Sequence, residues 1–228
     1  MHKITMIQKQ KFISSLICLT IFLLFVSINV KGNPQKTIEV QSPDKTIKVI
    51  LTVGEQISYS VLVDEKMVIE SSPISMTIDE NRVLGLKPGI SDYHINTVSK
   101  VIKPVIPEKY STINDYYNEL VMDFIGNYSV IFRAYNNGVA YRFKTRMNGE
   151  LKVYSEQVTF NFTENNSIYF PEEEGFFSHN ERSYKYIQLD NLSAGRLASL
   201  PSRLASAWET AGVHRTRSER EHRTARSR

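Results

Sequence analysis

Between Tyr128 and Lys144 apolar and polar residues alternate on either side of one Asn-Asn-Gly interruption. Tyr128, Val130, Phe132 and Ala134 alternate with Ser129, Ile131 and Arg133; after the break, Val139, Tyr141 and Phe143 alternate with Ala140, Arg142 and Lys144. A period of two is the signature of a strand and is incompatible with an amphipathic helix. Asn137-Gly138 is expected to supply the positive φ angles of a tight turn, so the segment predicts a β-hairpin. The same period recurs over Ile47–Val53 and Ile57–Val63. Asp64-Glu65-Lys66 then predicts a turn, and Met67–Ile69 a return strand. Ile74, Met76 and Ile78 form a further run, and Tyr93–Val98 another strand. Met147-Asn148-Gly149 marks a turn before a strand over Leu151–Phe162. No helical period of any length occurs between Asn33 and Tyr169. Short strands at regular spacing predict an all-β, antiparallel sandwich, and twelve Tyr and eleven Phe suit such strands.

The formal charge is unevenly placed. Residues 1–201 carry 21 Lys and Arg against 21 Asp and Glu, whereas residues 202–228 carry seven Arg and three Glu. The net +4 therefore belongs to the last 27 residues. The expected folded part is neutral, which argues against a nucleic-acid partner. The one cysteine, Cys18, lies in the apolar amino-terminal segment.

That segment reads as an export signal. Lys3, Lys9 and Lys11 precede the uncharged apolar stretch Phe12–Val30, and Val30-Lys31-Gly32 offers a cleavage site before Asn33. An uncleaved anchor is the rival reading, because nineteen residues can just span a bilayer. Residues 1–32 are expected to be a signal peptide. The mature chain would then have no cysteine and no membrane segment, which suits the periplasm or outer envelope of a Gram-negative bacterium.

Residue usage changes at Pro201. All fifteen Lys lie at or before Lys185, and the end of the chain is built from Arg, Ala, Ser, Thr and Glu. Ser202–Ala211 has the makings of a short helix, with Leu204 and Trp208 one turn apart, and the rest has the composition of disorder. One reading of residues 202–228 is a basic arm for anionic partners. The preferred one is an appendage foreign to the domain, such as follows a shift of reading frame. Residues 33–201 are then the domain.

The densest polar constellation is Phe170–Tyr184, which includes Glu172, Glu173, Glu174, His179, Asn180, Glu181 and Arg182. Carboxylate and amide oxygens suit a hard cation such as Ca²⁺. One His without Cys is a poor zinc set. The simpler reading is a solvated acidic loop whose aromatics anchor it to the core. Paired carboxylates for glycoside hydrolysis are conceivable over Glu172–Glu181, but spacing along the chain does not fix their separation. His94 reads as a half-exposed strand residue rather than a base.

Three stretches carry a resemblance when taken in order. They are Ser42-Pro43-Asp44 with Ile47-Lys48-Val49; Asn136-Asn137-Gly138-Val139-Ala140-Tyr141-Arg142-Phe143; and Phe176–Tyr184 followed by Gly195-Arg196-Leu197-Ala198-Ser199-Leu200-Pro201. Over residues 36–201 the chain resembles the amino-terminal domain of glycoside hydrolase family 97, a group of exported Bacteroidetes α-glucosidases and α-galactosidases. The resemblance implies a β-supersandwich similar to galactose mutarotases, here without its last strands. It implies a parent whose catalytic groups come from a following (β/α)₈ barrel, so no catalytic residue is assigned in this chain. It also implies a calcium ion to which this domain lends a glutamate. The matching position is Glu181, and the implied partner is an oligosaccharide.

Three functions follow as expectations. The first is the amino-terminal part of such a hydrolase, inactive alone. The second is a stand-alone carbohydrate-binding or scaffold sandwich of the envelope. The third is a mutarotase-like enzyme, which needs His and Glu partners in a cleft.

Overall fold

The structure, a computed structural model, describes residues 35–79, 81–106, 109–179 and 181–205. The expected signal peptide lies outside them. The described residues contain no α-helix, only strands and one 3₁₀ turn at Leu189–Asn191.

Inward-facing apolar residues build the first sheet. β1 (Lys36–Gln41), β2 (Ile47–Val53), β3 (Ile57–Val63) and β4 (Lys66–Ile78) follow one another as antiparallel neighbours. β5 (Arg82–Leu84), β10 (Val153–Val158) and β11 (Asn161–Phe162) all pair with β4. The second sheet is a meander of β6 (Ile90–Ile102), β7 (Ile113–Phe124), β8 (Tyr128–Tyr135) and β9 (Gly138–Thr145).

The sheets enclose one core. Val49, Leu51, Ile57, Ile74 and Ile78 from the first face Leu120, Met122, Val130 and Phe132 from the second. Each such side chain contributes about 1.5–3 kcal/mol on burial. Aromatic rings bridge the layers: the Tyr59 and Phe132 centroids are 5.6 Å apart, and those of Phe132 and Tyr141 5.3 Å. Burial pushes the Tyr59 and Tyr141 hydroxyls up to about 12.

The expected runs at 47–53 and 57–63 match β2 and β3. Other expectations need correcting. The separate runs at 67–69 and 74–78 are one strand that continues through Pro73. Pro73 stands opposite Ser58 in the ladder with β3, but on the other side of β4 it falls in the gap between β11, which pairs with residues 69–70, and β10, which pairs with residues 74–78. The expected strand over 151–162 is two, β10 and β11.

The Asn-Asn-Gly hairpin exists, but its turn differs from the expectation. Tyr135 pairs with Gly138, so Asn136 and Asn137 form the loop, and none of Asn136, Asn137 and Gly138 has a positive φ. Gly138 opens β9 instead of sitting in the bend. The Asn136 side chain is occupied elsewhere: its Oδ1 accepts the Asp44 N–H at 3.1 Å. The turn with two left-handed residues is Asp64-Glu65, at φ 48° and 60°.

Beyond the sandwich lie two small sheets. β12 (Ser167–Phe170) pairs with β14 (Lys185–Gln188) and β16 (Arg203–Ala205), and β13 (Glu172–Glu173) pairs with β15 (Leu197–Ala198). β16 corrects the expected helix at the start of the tail. Residues 203–205 are strand, because β12 offers them a hydrogen-bonding edge and sets Leu204 opposite Ile168. Residues 206–228 lie outside the described residues.

Candidate functional site

The constellation singled out in the sequence does converge. Glu172, Glu173, Glu174, Glu181, Arg182 and Ser183 line one side of a cleft of about 650 Å³, and Lys185, Gly195, Arg196 and Leu197 complete it. The pairing of β13 with β15 brings Glu172 and Glu173 beside Leu197 and Ala198, and with them Arg196, while the loop 174–184 leads on to β14 beside β12.

Ion pairs organise the cleft. Glu172 accepts from Arg196 Nε at 2.6 Å and also from Lys185 Nζ. Arg196 and then Lys185 hold the Glu172 carboxyl down to about 2. Glu173 is buried, and its Oε2 accepts from Arg182 Nε at 2.9 Å. Burial pushes the Glu173 carboxyl up, but Arg182, with the nearby Ser178 and Ser199 hydroxyls, outweighs it and holds the group below the usual carboxylate range. Its second oxygen, Oε1, is buried without a partner in hydrogen-bonding geometry. The Arg196 guanidinium also lies over the Phe170 ring, 5.2 Å from its centroid.

The acidic run is therefore not a solvated loop in its first two carboxylates, which are neutralised in place. Nor do the aromatics of the loop anchor it. Phe176 and Phe177 are 89% and 105% exposed, while Phe170 on β12 is buried. His179 is exposed and stands outside the cleft lining. His94 lies exposed on β6, on the other sheet system. Glu181 is exposed and lines the cleft.

Among the described residues no three His, Cys, Asp or Glu side chains come together to hold a metal ion. Glu181 therefore belongs to no such cluster among the described residues. Arg196 and Lys185 belong to the cleft but were not assigned to it from the sequence. Three consecutive glutamates against the single Arg182 of the constellation were the available signal, because such a cluster must draw further counter-charges from elsewhere.

Fold and cleft together define a two-sheet antiparallel β-sandwich carrying a charged cleft on an accessory layer. The comparisons with known proteins make this specific. The sequence profile described as Glycosyl-hydrolase 97 N-terminal matches residues 40–216. The chain belongs to that family, whose match continues past the compositional break at Pro201. It is 30% identical over 195 residues to a retaining alpha-galactosidase of Bacteroides thetaiotaomicron, covering 80% of this chain and 29% of that protein. A glycoside hydrolase family 97 enzyme from Pseudoalteromonas sp. strain K8, solved with panose, shares the fold. Its TM-score is 0.60 at 22% identity, over 68% of this chain and 25% of that one. A beta-arabinopyranosidase shares it at TM-score 0.58 and 23% identity, over 65% and 26% of the two chains. The chain thus spans between a quarter and a third of the length of these relatives.

Proposed function

We propose that this chain is the amino-terminal sandwich of an exported glycoside hydrolase acting on α-galactosidic or α-glucosidic bonds of oligosaccharides. The family match over residues 40–216 carries the reading, and the relative named as an alpha-galactosidase supports its substrate class. The cleft supplies what such a domain would contribute: carboxylates and cations fixed by mutual ion pairs, with exposed Phe176 and Phe177 on the loop between the lining residues Glu174 and Glu181. Aromatic faces stack on the C–H faces of sugars, and paired charges hold a sugar hydroxyl network in register.

The calcium expectation takes a limited form. Glu181 would give one carboxylate to a Ca²⁺ whose other ligands come from outside the described residues; a divalent cation there would polarise or orient the bound sugar. No chemistry is assigned to the described residues through that ion. Export through residues 1–32 to the periplasm or outer envelope belongs to the same reading.

Calorimetric titration tests it. The purified chain is titrated with melibiose and with maltose, with and without Ca²⁺, beside Glu181→Gln. Sugar heat that Ca²⁺ strengthens and Glu181→Gln weakens supports the reading. Heat with sugar that ignores both Ca²⁺ and Glu181 favours a stand-alone binding module. A folded chain silent toward both sugars removes the oligosaccharide contribution from this domain.

A further inference from the structure

Among the described residues the four-stranded sheet ends on an open edge. β6 runs for 13 residues and pairs only with β7 among the described residues, and eleven of its residues are exposed. Proteins blunt such edges with short strands, prolines or bulges. β6 contains no proline, and its bulge falls at the start, between Ile90 and Asp92, leaving Asp92–Ile102 in unbroken register with β7. The strand also overhangs the sandwich. Tyr93, Ile95 and Val101, on the side facing the other sheet, remain exposed.

The direction of the free groups can be read from one bond. The Tyr93 N–H donates to the side chain of the preceding residue, Asp92 Oδ1, at 2.8 Å. In an antiparallel ladder the backbone groups alternate between the two sides of a strand. Tyr93, Ile95, Thr97 and Ser99 therefore turn their N–H and C=O groups outward.

We infer that β6 is a dimerisation edge, and that its occupant is β6 of a second copy of this chain, laid antiparallel about a two-fold axis at Asn96. That register makes Tyr93 opposite Ser99 and Ile95 opposite Thr97 the hydrogen-bonded pairs. It places Asp92 opposite Lys100 twice, once on each side of the axis. These are non-hydrogen-bonded pairs, where side chains stand closest. Shifting the axis by one or two residues sets Lys100 opposite Ile90, His94, Asn96 or Pro88, none of them acidic, so the charges select one register. Asp92 exchanges its bond to Tyr93 for the ammonium of the other copy, while the Tyr93 N–H finds the opposing Ser99 carbonyl. Lys100 is free to be shared, because its pair with Asp115 is long, at 3.5 Å, and its side chain is 56% exposed. Each copy has one β6, so the pairing closes as a dimer and joins two four-stranded sheets into one.

Sedimentation equilibrium of the purified chain tests this. The unaltered chain should show a monomer–dimer equilibrium. Asp92→Lys and Lys100→Glu should each weaken it by about tenfold, since each reversal replaces two attractive cross-strand pairs with repulsive ones. The double exchange Asp92→Lys with Lys100→Glu should restore the dimer, although it leaves the internal pair with Asp115 reversed. A chain monomeric at every concentration, single reversals that leave the constant unchanged, or a double exchange that fails to restore it would each overturn the assignment.

Discussion

The sandwich and the cleft are built by opposite means. In the sandwich, alternate residues of long strands turn inward, and Leu51, Ile74, Leu120 and Phe132 are wholly removed from water. The cleft is closed by strands of two residues, β13 and β15, and its Glu172 and Glu173 are paired with Arg196, Lys185 and Arg182. Apolar burial is non-directional and tolerates local irregularity, as the bulged pairing of β3 with β4 shows. Ion pairs at a partly exposed rim add little stability but fix where charges stand. The first region is therefore a scaffold, and the second a place where a ligand can be met by positioned groups.

The sharpest way to break this contrast is in the core. Phe132→Ala removes a ring that touches both Tyr59 and Tyr141, and should cost ~3–5 kcal/mol in denaturant unfolding. A loss below about 1 kcal/mol would mean that the sandwich is not the stabilising unit. Gly85→Ala comes next. Gly85 sits at φ +90°, and a Cβ there would meet the Ile74 carbonyl oxygen at 2.9 Å. A cost of about 1–3 kcal/mol is expected, read as a lower midpoint with an unchanged denaturant slope.

Much of the scaffold was legible because its inward residues obey a period of two. Val49, Leu51 and Val53 alternate with partly exposed Lys48, Ile50 and Thr52. β7 escaped notice because both its faces carry large side chains. Leu120 and Met122 point to the core, and Tyr117 is buried on the far face beneath Arg133, whose guanidinium lies 4.4 Å from the ring centroid. β6 was seen only in part, since an exposed edge strand need not alternate. β16 was hidden by the change of residue usage at Pro201, which says nothing of the edge that β12 presents. In the cleft the acidic members were visible as a run together with Arg182, but the cations that hold Glu172, Lys185 and Arg196, were not. Arg196 reaches Glu172 from a position 24 residues along the chain, a closure that only the pairing of β13 with β15 produces.

Acid should separate the regions less by size than by which variant responds. Glu172 is held at about 2 in the folded chain, against an ordinary value near 4.5. A depressed folded value means that its contribution is complete above about pH 5 and is lost as pH falls through 4.5 toward 2. Asp123 in the sandwich is likewise held low, by Ser129 and then Arg146, so the whole chain loses stability in acid. Glu172→Gln should flatten only the part of the curve that belongs to the cleft. Proteolytic cleavage within 174–184, followed against pH, is the measurement. In the unaltered chain it should accelerate below pH 4.5, and in the variant it should start fast and change less. Equal pH profiles for the two would mean that Glu172 does not hold the cleft.

The smallest expected effect probes the same contrast from the other side. Phe177 is an aromatic residue of the kind the sandwich buries, yet it is fully exposed. Its ring gains nothing from the fold, so Phe177→Ala should change unfolding stability by no more than about 0.5 kcal/mol. An apolar ring left in water beside a charged cleft is instead placed to lose solvent when a ligand arrives, and a pyranose offers a C–H face to cover it. Calorimetry with the same oligosaccharides should therefore show weaker binding in Phe177→Ala while thermal unfolding stays unchanged. A shift of several degrees in unfolding would show that the loop packs after all, and the division between a scaffold that buries its aromatics and a cleft that presents them would fail.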